Sequence, residues 1–513
     1  MEIASIKGDT VLLLYHPAEA AAEVGQQFTI LELPDKTGGL VVQVISNDSL
    51  EYPGLQQEMI QRILEERIAQ VDRPLDREGG MGEIKSLKVA TAKIRKRVQD
   101  GVWRTWDGWI PTRNVTISRI EAAHLLGSVL PSPAFPIRSF ARFNESPIQF
   151  DGPRLNMVNV ITGVKGSGKS HLAKHLVLAL SDMLVPCIIF DINGEYVELP
   201  TAQPLRWGDN FMPDLAEIGH EMLPLVVRAV YPLPQASESV LQGMLPVLFA
   251  RRRAYCKQRN RSFAIDLDFL RGSTWSNNQY IQQAIDDRLR VIANMGLFLS
   301  PSMRQAATVT NLTSAYEEAC AGHPIVFDMR RLSPTLQHAL VRAADNTIET
   351  ICAREAEASG RYPFVFYEEA HFYISADAIL NLITRGRHIG MASVFVTNTP
   401  QHLPDPVFRQ LDNLILLALT HKDDIRNVSK NSFTDEDTIQ SFATRMPQYH
   451  CLIIGNVTDR YPLVVKVDPL PPEVPPTGRT RSTWDRFEGE RESSMAKRLG
   501  AGGAEPALEE IPF

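Results

Sequence analysis

Two clusters of residues in this chain are spaced for chemistry on phosphates. Gly163-Val-Lys165-Gly166-Ser167-Gly168-Lys169-Ser170 fits the pattern GxxxxGK[ST]. Glycines at these places let backbone N–H groups turn inward around a β-phosphate, and a helix starting at the lysine adds its partial positive charge. The spacing lets Lys169 reach the β- and γ-phosphates of ATP and Ser170 ligate Mg2+. With Lys165, Ser167 and His171, the candidate ATP-binding stretch runs from Gly163 to His171. The second cluster is Glu368-Glu369, which closes the apolar run Phe364–Tyr367. Two acids at the C-terminal end of a strand meet a nucleotide held beside it.

Other residues are placed to assist. Asn398 ends the run Val394-Phe-Val-Thr397, where a polar side chain can sense a γ-phosphate or simply close the strand. Arg385 and Arg387 lie in Thr384-Arg-Gly-Arg-His-Ile-Gly390. A guanidinium there is either a finger offered to a neighbouring subunit's γ-phosphate or part of a solvated basic turn. His371 reads equally as a coupling residue or a packed histidine. Asp191-Ile-Asn-Gly194 spells DxxG and invites a GTPase reading, but it directly follows the first helix and no NKxD accompanies it. The nearest candidate, His421-Lys-Asp-Asp424, lacks the asparagine.

These residues need a scaffold that brings strand ends to one edge. Met157–Thr162 predicts a strand, Lys169–Leu184 a helix and Cys187–Ile192 the next strand. Ile325–Met329, Phe364–Glu368, Ser393–Asn398 and Asn413–Leu419 follow, with helices such as Thr335–Arg354 between them. Near-continuous apolar strands alternating with helices predict an α/β core around a parallel sheet. Residues 1–125 read as short strands (Val11–Tyr15, Gln27–Leu33, Gly39–Ile45, Leu87–Val98, Asn114–Ile120) with one helical insertion at Gly54–Val71, together a small N-terminal β-barrel. Residues 126–150 are expected to be a linker. The core is assigned to residues 151–200 and 321–467, with a helical insertion at 201–320 and a proline-rich, partly disordered tail at 468–513.

Composition sets the outer limits. The chain has 513 residues, 44% hydrophobic and 22% charged, normal for a soluble globular protein. Its five cysteines are scattered without a CxxC pair, against a zinc site or a disulfide framework and for a reducing compartment. With neither a leader nor an apolar run near the ~20 residues of a membrane span, a cytoplasmic location is expected. The net charge of −7 argues against a protein coated in nucleic acid. Any nucleic-acid surface must be local, and two segments qualify: Lys93-Ile-Arg-Lys-Arg97 with Trp103, Trp106 and Trp109 nearby, and Arg251–Arg253 with Lys257, Arg259 and Arg261. The alternative for both is a solvated face.

The order of these pieces resembles the HerA branch of the HerA/FtsK ATPases. The resemblance rests on the barrel before the phosphate loop, the Asp191–Tyr196 DxxGEY element, Glu368–His371 (EEAH), Arg385–Gly390 (RGRxxG) and Thr397–Gln401. In ATPases of this kind the first acid, Glu368, orients the metal through water and the second, Glu369, activates the attacking water. The resemblance implies a RecA-like core in a hexameric ring, ATP at subunit interfaces and double-stranded DNA in a central pore. It also implies a barrel that docks a partner nuclease or, as in antiphage defence systems, an NAD-consuming effector. Glu368 stands where aspartate is usual and Asn398 where glutamine is usual. Two functions follow: a DNA translocase or helicase-like motor, or a nucleotide-responsive scaffold that activates an effector with little translocation.

Overall fold

The computed structural model describes residues 1–15, 21–33, 38–49, 88–112, 114–130, 132–300, 311–372, 383, 384, 386, 388–430 and 433–476. Residues 1–475 form one compact unit and Pro476–Phe513 a second. The helix expected at Gly54–Val71, the arginines Arg385 and Arg387, and the tail beyond residue 476 lie outside the described residues.

The chain opens with β1 (Glu2–Lys7), β2 (Thr10–Tyr15), β3 (Gln27–Glu32), β4 (Gly38–Ser49), β5 (Lys88–Gln99), β6 (Val102–Arg104) and β7 (Val115–Arg119). These form one antiparallel sheet in the order β1-β2-β5-β4-β3-β7, with β6 on β5. It buries Val11, Leu13, Ile30, Leu40, Val42 and Ala92 in one apolar cluster. The terminal strands β1 and β7 do not pair with each other among the described residues, so what is seen is half of the expected barrel.

After α1 (Ala122–Val129), the chain enters the main sheet through β8 (Ala141–Phe143) and β9 (Ser146–Pro147). It continues with β10 (Val158–Thr162), α2 (Lys169–Asp182), β11 (Cys187–Asp191) and β12 (Gln203–Leu205). Among the described residues six helices follow: α3 (Leu215–Ile218), α4 (Leu223–Val230), α5 (Gln235–Gln258), α6 (Leu267–Arg271), α7 (Gln279–Asn294) and α8 (Leu312–Ala319). The chain then returns through β13 (Ile325–Asp328), α9 (Pro334–Ile351), β14 (Phe364–Glu368) and β15 (Ala392–Thr397). It closes with α10 (Asp405–Arg409), β16 (Asn413–Leu416), α11 (Lys422–Ser429), α12 (Glu436–Ala443), β17 (His450–Gly455) and β18 (Leu463–Val467).

The eleven strands β8–β18 form one sheet in the order β12-β13-β11-β14-β15-β10-β16-β17-β18-β8-β9. Every residue of β10, β11, β13, β14, β15 and β16 is buried, because apolar clusters cover both faces. Only the seven strands from β12 to β16 are parallel. β17, β18, β8 and β9 extend the sheet antiparallel. The expectation of a parallel sheet is corrected to a mixed one: after β16 the chain passes through α11 and α12 and comes back as β17 in the opposite sense, and the short connections β17–β18 and β8–β9 need no crossover helix. Residues 126–150 also differ from a linker, since β8 and β9 are strands of this sheet. Beyond β18, residues 468–475 lie against α2, where Val474 is buried and Lys174 Nζ donates to the Pro475 carbonyl at 3.0 Å.

The N-terminal sheet is latched to the core by the basic strand β5. Lys93 pairs with Asp9 at 3.1 Å, Asp437 at 3.5 Å and Asp435 at 3.6 Å. Arg95 donates to Gln43 at 3.0 Å and Thr438 at 2.8 Å, and Lys96 to the Asp459 carbonyl at 3.0 Å. Arg97 pairs with Asp107 and lies 5.1 Å from the Trp109 ring centre. The expectation that this strand offers cations to nucleic acid is therefore corrected. Burial makes each charge seek an oxygen partner: the start of α12 and the loop after β17 supply those that tie Lys93, Arg95 and Lys96 to the core, and Asp107 serves Arg97.

Candidate functional site

The glycine loop sits where β10 ends and α2 begins, at the C-terminal edge of the parallel strands. Gly168 precedes α2 with φ +109°, a left-handed conformation that suits glycine. Val164 N–H is tied to the Ala418 carbonyl at 2.7 Å, and Ser167 N–H and Oγ both donate to the Val164 carbonyl, at 3.2 and 2.8 Å. Lys165 and Gly166 are exposed at the loop's tip. Lys169 Nζ folds back under the loop, donating to the Val164 carbonyl at 3.1 Å and to Asn398 Oδ1. Burial pulls the Lys169 pKa down, and the nearby charges of Glu369, Glu368 and Glu195 oppose that.

Glu368 ends β14, which β15 separates from β10 and its loop. Its Oε1 accepts from Ser170 Oγ at 3.0 Å and its Oε2 from the Tyr196 hydroxyl at 2.8 Å. The carboxyl is 2% exposed, and its pKa is pushed up to about 8. Burial is the main cause. The Tyr196 hydrogen bond pulls the other way, and the charges of Glu195, Asp191 and Glu369 push further up.

Tyr196 reaches Glu368 because of the turn before it. Asp191, the last residue of β11, accepts at Oδ1 from the N–H groups of Asn193 (3.2 Å), Gly194 (2.7 Å) and Glu195 (3.2 Å), and at Oδ2 from Tyr196 N–H at 2.8 Å. Gly194 has φ +76°, and a Cβ there would fall 2.5 Å from the Arg330 side chain. The DxxG of this chain is thus a carboxylate folding its own turn, consistent with rejecting a GTPase reading. Sequence reasoning reaches this element but not the roles of Asp191, Glu195 and Tyr196. The GEY run itself was the available signal.

Glu369 follows the strand end with φ +50°, the left-handed region for a side chain that avoids it. Asn398 Nδ2 donates to Glu369 Oε1, and Asn398 N–H lies 3.4 Å from Oε2. Asn398 therefore bridges Lys169 and Glu369 through opposite ends of one amide. Burial raises the Glu369 pKa, opposed first by Lys169. His371 Nδ1 lies 3.0 Å from Thr397 Oγ1 and 3.6 Å from Glu369 Oε2, and burial lowers its pKa.

The structure brings together Gly163–Ser170, Glu368, Glu369 and Asn398. It does not bring the His171 ring to the loop. His171 Nε2 donates to the Asp468 carbonyl at 2.8 Å and its ring packs 4.7 Å from that of Tyr449. The His171 side chain is taken up by Asp468, Tyr449 and His175, so its expected role in nucleotide binding is corrected for the side chain. Arg385 and Arg387 lie outside the described residues.

Mg2+ fits the oxygen donors around Ser170. The ion takes hydroxyl, carboxylate and phosphate oxygens and few protein ligands. Ser170 Oγ and Glu368 Oε1 adjoin, and Glu195 Oε2 is buried with no hydrogen-bond partner among the described residues.

A strand, a glycine loop closing on a lysine, and acids at the ends of other parallel strands of the same sheet define a P-loop nucleotide-binding protein. Residues 139–224 match the family described as Helicase HerA, central domain. The chain is 23% identical over 339 residues to the DNA double-strand break repair helicase HerA of Sulfurisphaera tokodaii, covering 60% of this chain and 64% of that protein. It is 22% identical to the protein of the same description from Saccharolobus solfataricus, covering 60% and 63%. The chain thus spans less than two thirds of the length of these relatives. Among solved structures, VirB4 of Thermoanaerobacter pseudethanolicus is similar at 15% identity with a TM-score of 0.49, covering 68% of this chain and all of that one. Within the P-loop class the chain is similar to the HerA proteins.

Proposed function

We propose that this chain is an ATP-hydrolysing, ring-forming DNA translocase or helicase-like motor. The observation that carries the reading is the continuous chain Lys169–Asn398–Glu369 beside the Ser170–Glu368 pair. Lys169 and the loop N–H groups hold the β- and γ-phosphates. Ser170 and Glu368 would hold Mg2+, which would supply neutralisation of the phosphate charge when bound. Glu369 accepts the proton of the attacking water. Asn398 positions Glu369 relative to Lys169, so the γ-phosphate and the base are read by one amide. Burial excludes bulk water and strengthens each of these electrostatic contacts.

The HerA-like character supports the remaining features: a hexamer, Arg385 or Arg387 completing a neighbour's site, duplex DNA in the pore, and a nuclease or NAD-consuming effector docked on the N-terminal half-barrel. The same reading assigns residues 1–125 as a barrel, 151–200 with 321–467 as a RecA-like core, 201–320 as an insertion and 468–513 as a tail, in a cytoplasmic protein. No helix among the described residues is long and apolar enough to cross a membrane. The test is ATP hydrolysis by the purified chain with and without duplex DNA. Strong stimulation supports the motor. Hydrolysis that ignores DNA but rises with a partner protein turns the reading into an effector-activating scaffold, and no hydrolysis under either condition rejects both.

A further inference from the structure

The helices between β12 and β13 carry a charged face that the nucleotide site does not use. Arg251, Arg252, Arg253, Lys257, Arg259 and Arg261 crowd the end of α5 and the turn after it. In a chain of net charge −7 this is a local reversal of sign. All but Arg252 are exposed. Unlike the cations of β5, none of the six is ion-paired to a carboxylate among the described residues.

Three guanidiniums are held by rings instead. Arg253 lies 4.9 Å from the Phe263 ring centre, Arg259 lies 4.7 Å from that of Tyr255, and Arg252 lies 5.0 Å from that of Phe269 and 5.5 Å from that of Tyr255. Arg252 Nε also donates to the Ala264 carbonyl at 2.9 Å. A ring orients a guanidinium without cancelling its charge, so the forks are ordered before any ligand arrives. The ligand that suits several ordered forks on one short face is a row of phosphates.

We propose that this face binds the phosphodiester backbone of double-stranded DNA without reading its sequence; naming DNA as the polyanion rests on the motor reading above. A single strand would need open aromatic faces for base stacking, and here the chain's own arginines cover Tyr255, Phe263 and Phe269. A membrane surface would need an apolar stripe beside the cations. The apolar residues Leu241, Leu245, Leu248 and Phe249 of α5 are buried in the core instead. The helical part of the face is roughly 10 Å long at ~1.5 Å per residue. Each strand of duplex DNA presents a phosphate every ~3.4 Å of axis, so on the order of three phosphates of one strand meet it.

The test uses the full chain and a variant carrying Lys257→Ala, Arg259→Ala and Arg261→Ala, with Lys257→Arg, Arg259→Lys and Arg261→Lys as the charge-keeping control. Binding of a fluorescein-labelled duplex is followed by anisotropy between ~50 and ~200 mM salt, with thermal unfolding as the folding check. Each lost phosphate contact lowers the slope of log affinity against log salt by ~0.9. The alanine variant is expected to lose about 2–3 in slope and at least roughly tenfold in affinity at the lowest salt. The control stays near wild type, and DNA-free hydrolysis is unchanged in both. Equal slopes in wild type and alanine variant overturn the proposal. So does a loss seen only with anionic phosphatidylserine vesicles or polyglutamate, or a wild-type chain that binds no duplex. If duplex binding follows these residues while duplex fails to raise hydrolysis, the motor reading falls and this surface stands. If duplex raises hydrolysis equally in wild type and variant with equal slopes, the surface falls and the motor stands.

Discussion

Tyr196→Phe removes one hydroxyl from a fully buried ring and leaves its shape in place. That hydroxyl donates to Glu368 Oε2 at 2.8 Å and is the contact that holds the Glu368 pKa down to about 8 against burial. A hydrogen bond to a charged acceptor contributes roughly 1.5–3 kcal/mol, and one pKa unit corresponds to about 1.4 kcal/mol. Losing it should raise Glu368 by a further one to two units, roughly. On the acid side of its pKa the ionised fraction of a carboxyl falls about tenfold per unit. A neutral carboxyl is a poor oxygen ligand for Mg2+. The pH profile of kcat/KM for ATP hydrolysis, which reports the free enzyme, should therefore show its acid limb displaced to higher pH by about one to two units, with the alkaline plateau largely retained. A purely structural role for Tyr196 would lower the plateau and leave the limb in place. A limb that does not move refutes the reasoning.

Two further changes probe the same neighbourhood. Asn398→Ala cuts the bridge between Lys169 and Glu369. It should leave ATP affinity within a few fold and slow turnover by about 10²-fold or more, as positioning of a general base is worth that much; equal loss of affinity and rate in single-turnover assays would assign Asn398 to binding instead. Asp345, buried in α9, accepts from the Tyr367 hydroxyl at 2.9 Å, and burial raises its pKa to about 7. A raised acid contributes stability below its unfolded value of 3.8, and that stability is lost as pH rises through about 7. Asp345→Asn cannot ionise, so its thermal midpoint should fall less than that of wild type between about pH 5 and pH 8, a comparison calorimetry makes directly.

Much of the site was legible in the sequence because its parts are local. The phosphate loop needs only a strand, three glycines and a helix start, all within Met157–Lys169. The acids announce themselves by closing an apolar run at Tyr367. Contacts between distant segments were not legible. Nothing in Lys93–Arg97 says that Asp435, Asp437 and Asp459, more than 300 residues away, neutralise it. The period-two alternation of that strand fits a latch as well as a DNA face. The antiparallel half of the main sheet was hidden for a related reason. Parallel and antiparallel buried strands carry the same apolar residues, and only the connections between them tell the two apart. Tyr196 sat in a recognised element, but its target, Glu368, is set by the turn that Asp191 folds.

The account rests most directly on one sample of Glu369→Gln mixed with radiolabelled ATP and Mg2+. Equilibrium binding and product formation are then measured side by side. Nucleotide should be retained about as tightly as by the wild type, with hydrolysis slowed by about 10²-fold or more, as expected when a general base is removed and the phosphate clamp is intact. Hydrolysis at the wild-type rate, or no bound ATP in either protein, would contradict it.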